Sequence, residues 1–302
     1  MIPFEALDAE FLPGFERMFV EVDGNPVRTL VGGEGPPVLL LHGDPQTHLC
    51  WHHVAPHLAK TRTVVITDLR GRGESHKPEV LTNPEAYSKR AMAAEQCEVM
   101  EYLSFSRFDL VGHDRGARVA QRLALDYPQA VSRLAILDIV PTLDLYEGYT
   151  AAFAQDYFYF NFLTQPAPLP ERLIEGDPHR FMRQILLGLS DETDFYEPRI
   201  LDVYLAAAST PEAIRATCDC FRAGYYTDLE HDRSDRETGR TIDCPTLIAW
   251  GEKGPANRHF DMQAVWRRWC TKPYFAPMPS GHFIPEEAAD EICGALSDFL
   301  TL

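Results

Sequence analysis

The sequence predicts an α/β protein: a doubly wound, mostly parallel sheet with an inserted helical cap. Three observations carry this. Short, continuous apolar runs recur, among them Val38-Leu39-Leu40-Leu41, Val64-Val65-Ile66 and Leu134-Ala135-Ile136-Leu137, as strands buried on both faces of a parallel sheet require. These runs alternate with segments of helical periodicity. Between residues 142 and 236 the alternation stops and an aromatic-rich helical block takes its place.

The elements follow in order. Met18 to Val22 and Val27 to Val31 read as two short strands about the turn Asp23-Gly24-Asn25. The loop Glu34-Gly35-Pro36-Pro37 leads into the run at Val38, which ends at His42-Gly43-Asp44-Pro45. Trp51 to Leu58 reads as a helix. Thr63 to Thr67 is the next strand and runs into the glycine-rich Asp68-Leu69-Arg70-Gly71-Arg72-Gly73. Tyr87 to Leu103 has helical periodicity through Met92, Cys97, Val99, Met100 and Leu103.

Phe108 to Val111 climbs into Gly112-His113-Asp114-Arg115-Gly116, and a helix follows from Ala117. Leu134 to Val140 is a strand with Asp138 at its carboxyl end. Pro166, Pro168 and Pro170 break the helical block, which contains Tyr157-Phe158-Tyr159-Phe160. Strands return at Pro245 to Gly251 and at Tyr274 to Met278, and Glu286 to Leu300 closes the chain as a helix. The expected division is a core of residues 1–141 and 237–302 and a cap of 142–236.

Composition narrows the function. The 302 residues are 45% hydrophobic and 24% charged, with a net charge of −17 and an isoelectric point near 5.0. So acidic a chain is a poor partner for nucleic acid or an anionic membrane. An anionic substrate would need a local cationic site. No window approaches the ~20 apolar residues of a membrane span, and Met1-Ile2-Pro3-Phe4-Glu5 does not read as a signal peptide. The seven cysteines include no CxxC pair. Reduced thiols in a cytoplasmic protein are the simple reading, with neither metal nor cofactor expected.

Four pieces that carry chemistry each follow a strand, where open α/β sheets place their sites. Strand, Gly-x-Asp-x-Gly turn and helix form the nucleophile elbow of the α/β-hydrolase fold, with Asp114 where an esterase has Ser. Asp138 and His282 complete the chain order nucleophile, acid, histidine. An Asp nucleophile attacks a carbon bearing a leaving group and forms an alkyl ester. His282 then activates water, and Asp138 orients the imidazole.

Backbone N–H groups at Asp44 and Arg115 are expected at the oxyanion. His42, His113 and Trp51 are read as supports behind the site. Arg115 and Arg118 lie one turn apart and read either as a bidentate carboxylate clamp or as structural ion pairs with Asp44 or Asp138. Asp138 also reads, more blandly, as a strand cap. A silent, receptor-like hydrolase fold is the alternative in which Asp114 does no chemistry.

These residues resemble the fluoroacetate dehalogenases, the haloacetate-hydrolysing branch of the epoxide-hydrolase and haloalkane-dehalogenase group. The resemblance runs nearly the whole chain. It rests on His42-Gly43-x-Pro45-Gln46, Asp68-Leu69-Arg70-Gly71, Arg90-Ala91-Met92-Ala93, Val111 to Arg118, Leu137-Asp138-Ile139, Gln165-Pro166-Ala167-Pro168, Asp228-Leu229-Glu230 and Gly281-His282-Phe283.

The resemblance implies a homodimer, a small carboxylate-bearing substrate and water. It also implies a cap pocket in which a His-Trp pair and a Tyr hydrogen-bond the departing halide. The matching positions here are Tyr159, Phe160 and Phe221, of which only Tyr159 carries a donor. With those donors missing, weaker stabilisation of fluoride is expected. Asp44 stands where the family has an aromatic residue, and its carboxylate disfavours an anionic substrate unless Arg115, Arg118 or protonation offsets it. Epoxide hydrolysis is the alternative, with Tyr159 and Tyr225 or Tyr226 as acids.

Overall fold

The computed structural model describes residues 4–80, 85–190 and 194–302. Eight strands form one sheet: β1 (Glu16–Val22), β2 (Asn25–Gly32), β3 (Pro37–Leu41), β4 (Thr63–Thr67), β5 (Phe108–His113), β6 (Val131–Leu137), β7 (Thr246–Gly251) and β8 (Pro273–Met278). Their order across the sheet is β1-β2-β4-β3-β5-β6-β7-β8. The pairs β1·β2 and β2·β4 are antiparallel and the rest are parallel. The expected mostly parallel, doubly wound sheet is therefore present.

Its centre is dry. All six residues of β5 are buried, and Val38, Leu39, Leu40, Val64, Val65 and Ile66 are fully enclosed. Burying an aliphatic side chain contributes ~1.5–3 kcal/mol, so the runs that predicted the strands also hold them together. The order in which strands are added across the sheet reverses between the parallel neighbours β3 and β5, and the carboxyl ends of these two strands open the crevice that holds the site.

Between β6 and β7 the described residues build only helices, from Thr142–Glu147 to Leu229–Thr238. They lie over the carboxyl ends of the strands. Arg122, on the helix after β5, fastens the last of them through Asp232 (2.9 Å) and Asp235 (2.6 Å). None of the described helices is long and apolar enough to cross a membrane.

Two helices differ from expectation. Trp51 to Leu58 is not one helix but a 3-10 turn, His48–Trp51, followed by Val54–Leu58. Asp68 accepts both the backbone N–H (3.0 Å) and the Nδ1 (2.9 Å) of His48, which pulls the chain into the tighter turn. The closing segment is broken at Ala288 into Ile284–Glu287 and Ala289–Leu300. Glu287 is drawn back to accept the N–H groups of Gly281 and Phe283, at 2.8 Å each.

Candidate active site

Asp114 sits on the turn between β5 and the Arg115–Asp126 helix with φ 47° and ψ −114°. Few non-glycine residues adopt such a backbone, at ~1–3 kcal/mol of strain. Two glycines make it possible. A Cβ on Gly112 would lie 2.5 Å from the Gly116 carbonyl oxygen, and one on Gly116 would lie 2.2 Å from that of Leu41. The helix therefore packs directly on the strand ends and lifts the Asp114 carboxyl clear of the sheet.

That carboxyl has two distinct oxygens. The Asp44 N–H donates to Oδ1 at 2.8 Å. Oδ2 faces His282 Nε2 at 3.6 Å. Arg115 is the first residue of its helix, so its N–H has no partner within the helix. His282 Nδ1 lies 2.6 Å from Asp138 Oδ2, and Asp138 Oδ1 accepts the Gly251 N–H at 2.9 Å. The Asp138 backbone is itself in the left-handed region, φ 52°. Three residues from the ends of three strands thus converge on one point.

Charge follows from this geometry. Burial would raise the Asp114 pKa, but the hydrogen bond and charge of His282, with Arg115 behind, hold it far below the usual carboxylate range. Burial would likewise lower His282, yet its bonds to Asp114 and Asp138 raise it to about 10. The resting pair is carboxylate and imidazolium.

The supporting histidines are neutral. Burial lowers His113 to about 3, and its Nε2 donates to the His282 carbonyl oxygen at 2.9 Å. His42 accepts the Leu69 N–H on Nε2 (3.0 Å) and meets the Gly43 carbonyl through Nδ1 (2.8 Å). Burial lowers its pKa too. Trp51 is fully buried but lines no cavity at Asp114.

Two cavities meet at Asp114 and His282. One is lined by Arg118, Asp138, Val140, Phe153, Tyr157 and Phe160. The other is lined by Asp44, Arg115, Tyr159, Leu163, Thr217 and Phe221. Neither arginine makes an ion pair among the described residues, so the structural-salt-bridge alternative finds no counterpart. Arg115 lies over the Phe221 ring at 3.5 Å, with Nη2 buried and without a hydrogen-bond partner. Arg118 is anchored by Nη1 to the Val140 carbonyl (3.0 Å) and Thr142 Oγ1 (3.1 Å), but its Nε has no partner.

The carboxylate expected to repel anions is already occupied. Arg72 grips Asp44 through two donors, Nη2 to Oδ2 at 2.6 Å and Nε to Oδ1. Arg72 was not singled out from the sequence. Its partner Asp44 is a half-buried acid with no other side-chain partner, which favours a cation beside it. Tyr157, another lining residue, was also missed. Tyr225 and Tyr226, considered as epoxide acids, are 41% and 63% exposed and line neither cavity. Tyr225 packs its edge on Tyr146 instead.

Comparison with known proteins adds the lineage. Residues 36–289 match the family model described as the alpha/beta hydrolase fold. A fluoroacetate dehalogenase of Burkholderia sp. is 43% identical over 289 residues, 95% of this chain and 94% of the relative. The chain belongs to the haloacetate dehalogenase family of α/β-hydrolases. Within that wider fold, a soluble epoxide hydrolase of Corynebacterium sp. (strain C12) is 30% identical over 88% of this chain and 90% of its own. A crystal structure of an α/β-hydrolase from Nostoc sp. PCC 7120 has a TM-score of 0.93 at 44% identity, covering 96% of this chain and 99% of that one. The chain is therefore a dehalogenase-like hydrolase, and the cavities at Asp114 are where family membership meets chemistry.

Proposed function

We propose that this enzyme hydrolyses the carbon–halogen bond of small 2-halocarboxylates, haloacetates first, through an ester on Asp114. One observation carries the reading: the two buried arginines beside Asp114, with donors left open and, among the described residues, no carboxylate in direct ion-pair contact with either. An unpartnered buried cation is costly, and a substrate carboxylate relieves that cost for both. Burial, with Arg115 beside it, also lowers the pKa of Arg118, a strain that an anion removes.

The step balances simply. Asp114 Oδ2 bonds to the substrate carbon, and the halogen leaves with the bonding pair. Water then attacks the Asp114 carboxyl carbon, the charge collecting on Oδ1 where the Asp44 N–H donates. His282 takes the water's proton. Glycolate, halide and one proton result. Esterification removes the Asp114 charge that helps hold His282 near 10, so the imidazole becomes a base when a base is needed.

Phe160 and Phe221 offer the halide no donor. Fluoride, the poorest leaving group, depends most on donors, so chloro- and bromoacetate are the expected better substrates. Halide release from fluoro-, chloro- and bromoacetate, beside diol formation from a styrene-type epoxide, tests the proposal. Release from chloroacetate supports it; turnover of the epoxide alone overturns it in favour of epoxide hydrolysis, for which the open cations have no use.

A further inference from the structure

We propose that Tyr157 is a catalytic residue which, together with Tyr159, donates a hydrogen bond to the halide leaving the carbon attacked by Asp114. This rests on the haloacetate reading above. The two cavities that meet at Asp114 each contain one phenol: Tyr157 beside Arg118, Tyr159 beside Arg115. The two residues are 6% and 7% exposed. Among the described residues neither hydroxyl has a hydrogen-bond partner. Each hydroxyl opens onto its cavity with its proton uncommitted, so it is free to donate to an anion bound there.

Tyr157 is held in place. It occupies the break between the helices Ala151–Asp156 and Phe158–Leu163. Its ring stacks on Phe153 at 4.6 Å and meets Phe160 edge-on at 5.5 Å and Tyr159 at 5.9 Å. Burial raises both phenols well above their ordinary pKa, so both keep their protons and act as donors. In the step itself, the Asp114 Oδ2–carbon bond forms, the carbon–halogen pair departs as halide, and both phenols stay protonated.

The competing role for Tyr157 is to hold the hydrolytic water, since His282 and Asp138 line the same cavity. The chemistry separates the two roles. Fluoro-, chloro- and bromoacetate all give the same carboxymethyl ester on Asp114. A residue serving hydrolysis therefore affects all three alike, and only a leaving-group donor affects them unequally.

The experiment measures single-turnover halide release from the three substrates by wild type, Tyr157→Phe and Tyr159→Phe. Loss of one hydrogen bond to a developing anion slows fluoride release by roughly 10- to 100-fold and bromide release by less than about threefold. Equal slowing of all three substrates by Tyr157→Phe overturns the proposal. Fluoride binding followed by fluorine NMR gives an independent reading. Weaker binding in both variants is expected, and unchanged affinity in Tyr157→Phe overturns the assignment. If wild type turns over no haloacetate, the haloacetate reading fails and this role falls with it; turnover retained with unchanged fluoride affinity overturns the Tyr157 assignment alone.

Discussion

Asp114 must be ionised, unhindered and strained at once, and its neighbours supply each condition separately. His282 keeps it ionised into strong acid, so ester formation should vary little from neutral pH downward. Hydrolysis needs neutral His282 in the ester and should slow as pH falls. Quench-flow bursts of halide should therefore grow toward acid; a burst that shrinks there contradicts the proposed division of labour.

The same histidine has a stability consequence. Its folded pKa of about 10 lies above the ordinary 6.5. Its contribution is fully present below pH 6.5 and is lost as pH rises toward 10. Urea unfolding across that window should show the decline in wild type and less of it in His282→Asn. Arg72 makes the third prediction at this scale. Arg72→Met leaves the half-buried Asp44 unpaired, which costs about 1–3 kcal/mol and raises KM for chloroacetate. Adding Asp44→Asn should recover most of both losses.

At the scale of elements, the legible parts were those whose constraints are local. The strands announced themselves as apolar runs, and the elbow as glycines flanking an acid. Gly116→Ala should cost about 1–3 kcal/mol and abolish activity well beyond that loss, since the added methyl pushes the helix off Leu41; thermal unfolding and turnover together check this.

The helix breaks at 52–53 and at Ala288 were not legible. They depend on acids reaching outside the helical repeat: Asp68 back twenty residues to His48, and Glu287 back six to Gly281. Glu286 belongs to the same class. It accepts from Gln46, beside the Asp44 loop, and from Tyr204 of the cap at 3.2 Å. Burial raises it from 4.5 to about 8. A raised carboxyl stabilises fully below pH 4.5 and loses that contribution as pH climbs through 8. Glu286→Gln should flatten the stability profile between those limits.

At the scale of the molecule, the cap is tied to the sheet at several places. Asp144, in its first helix, receives Arg268 and, at 2.6 Å, Trp269 Nε1 from the core. Arg122 holds its last helix. The Leu189 carbonyl accepts the N–H of His282 itself at 3.1 Å. The cap thus holds the histidine loop as well as covering the cavities. The sequence order of Asp114, Asp138 and His282 was enough to locate the candidate triad, because each follows a strand. The pairing of Arg72 with Asp44 and the placing of Tyr157 were not readable, because they arise only where core loops and cap helices meet.

The claim on which all of this depends is that Asp114 is the nucleophile. A single turnover of chloroacetate in oxygen-18 water, followed by peptide mass analysis, tests it most directly. The account predicts label in the peptide containing Asp114 and unlabelled glycolate from the first turnover, because water attacks the carboxyl carbon of the ester. Label in the first glycolate, with none in the Asp114 peptide, would mean that water attacks the substrate carbon directly and would contradict the account.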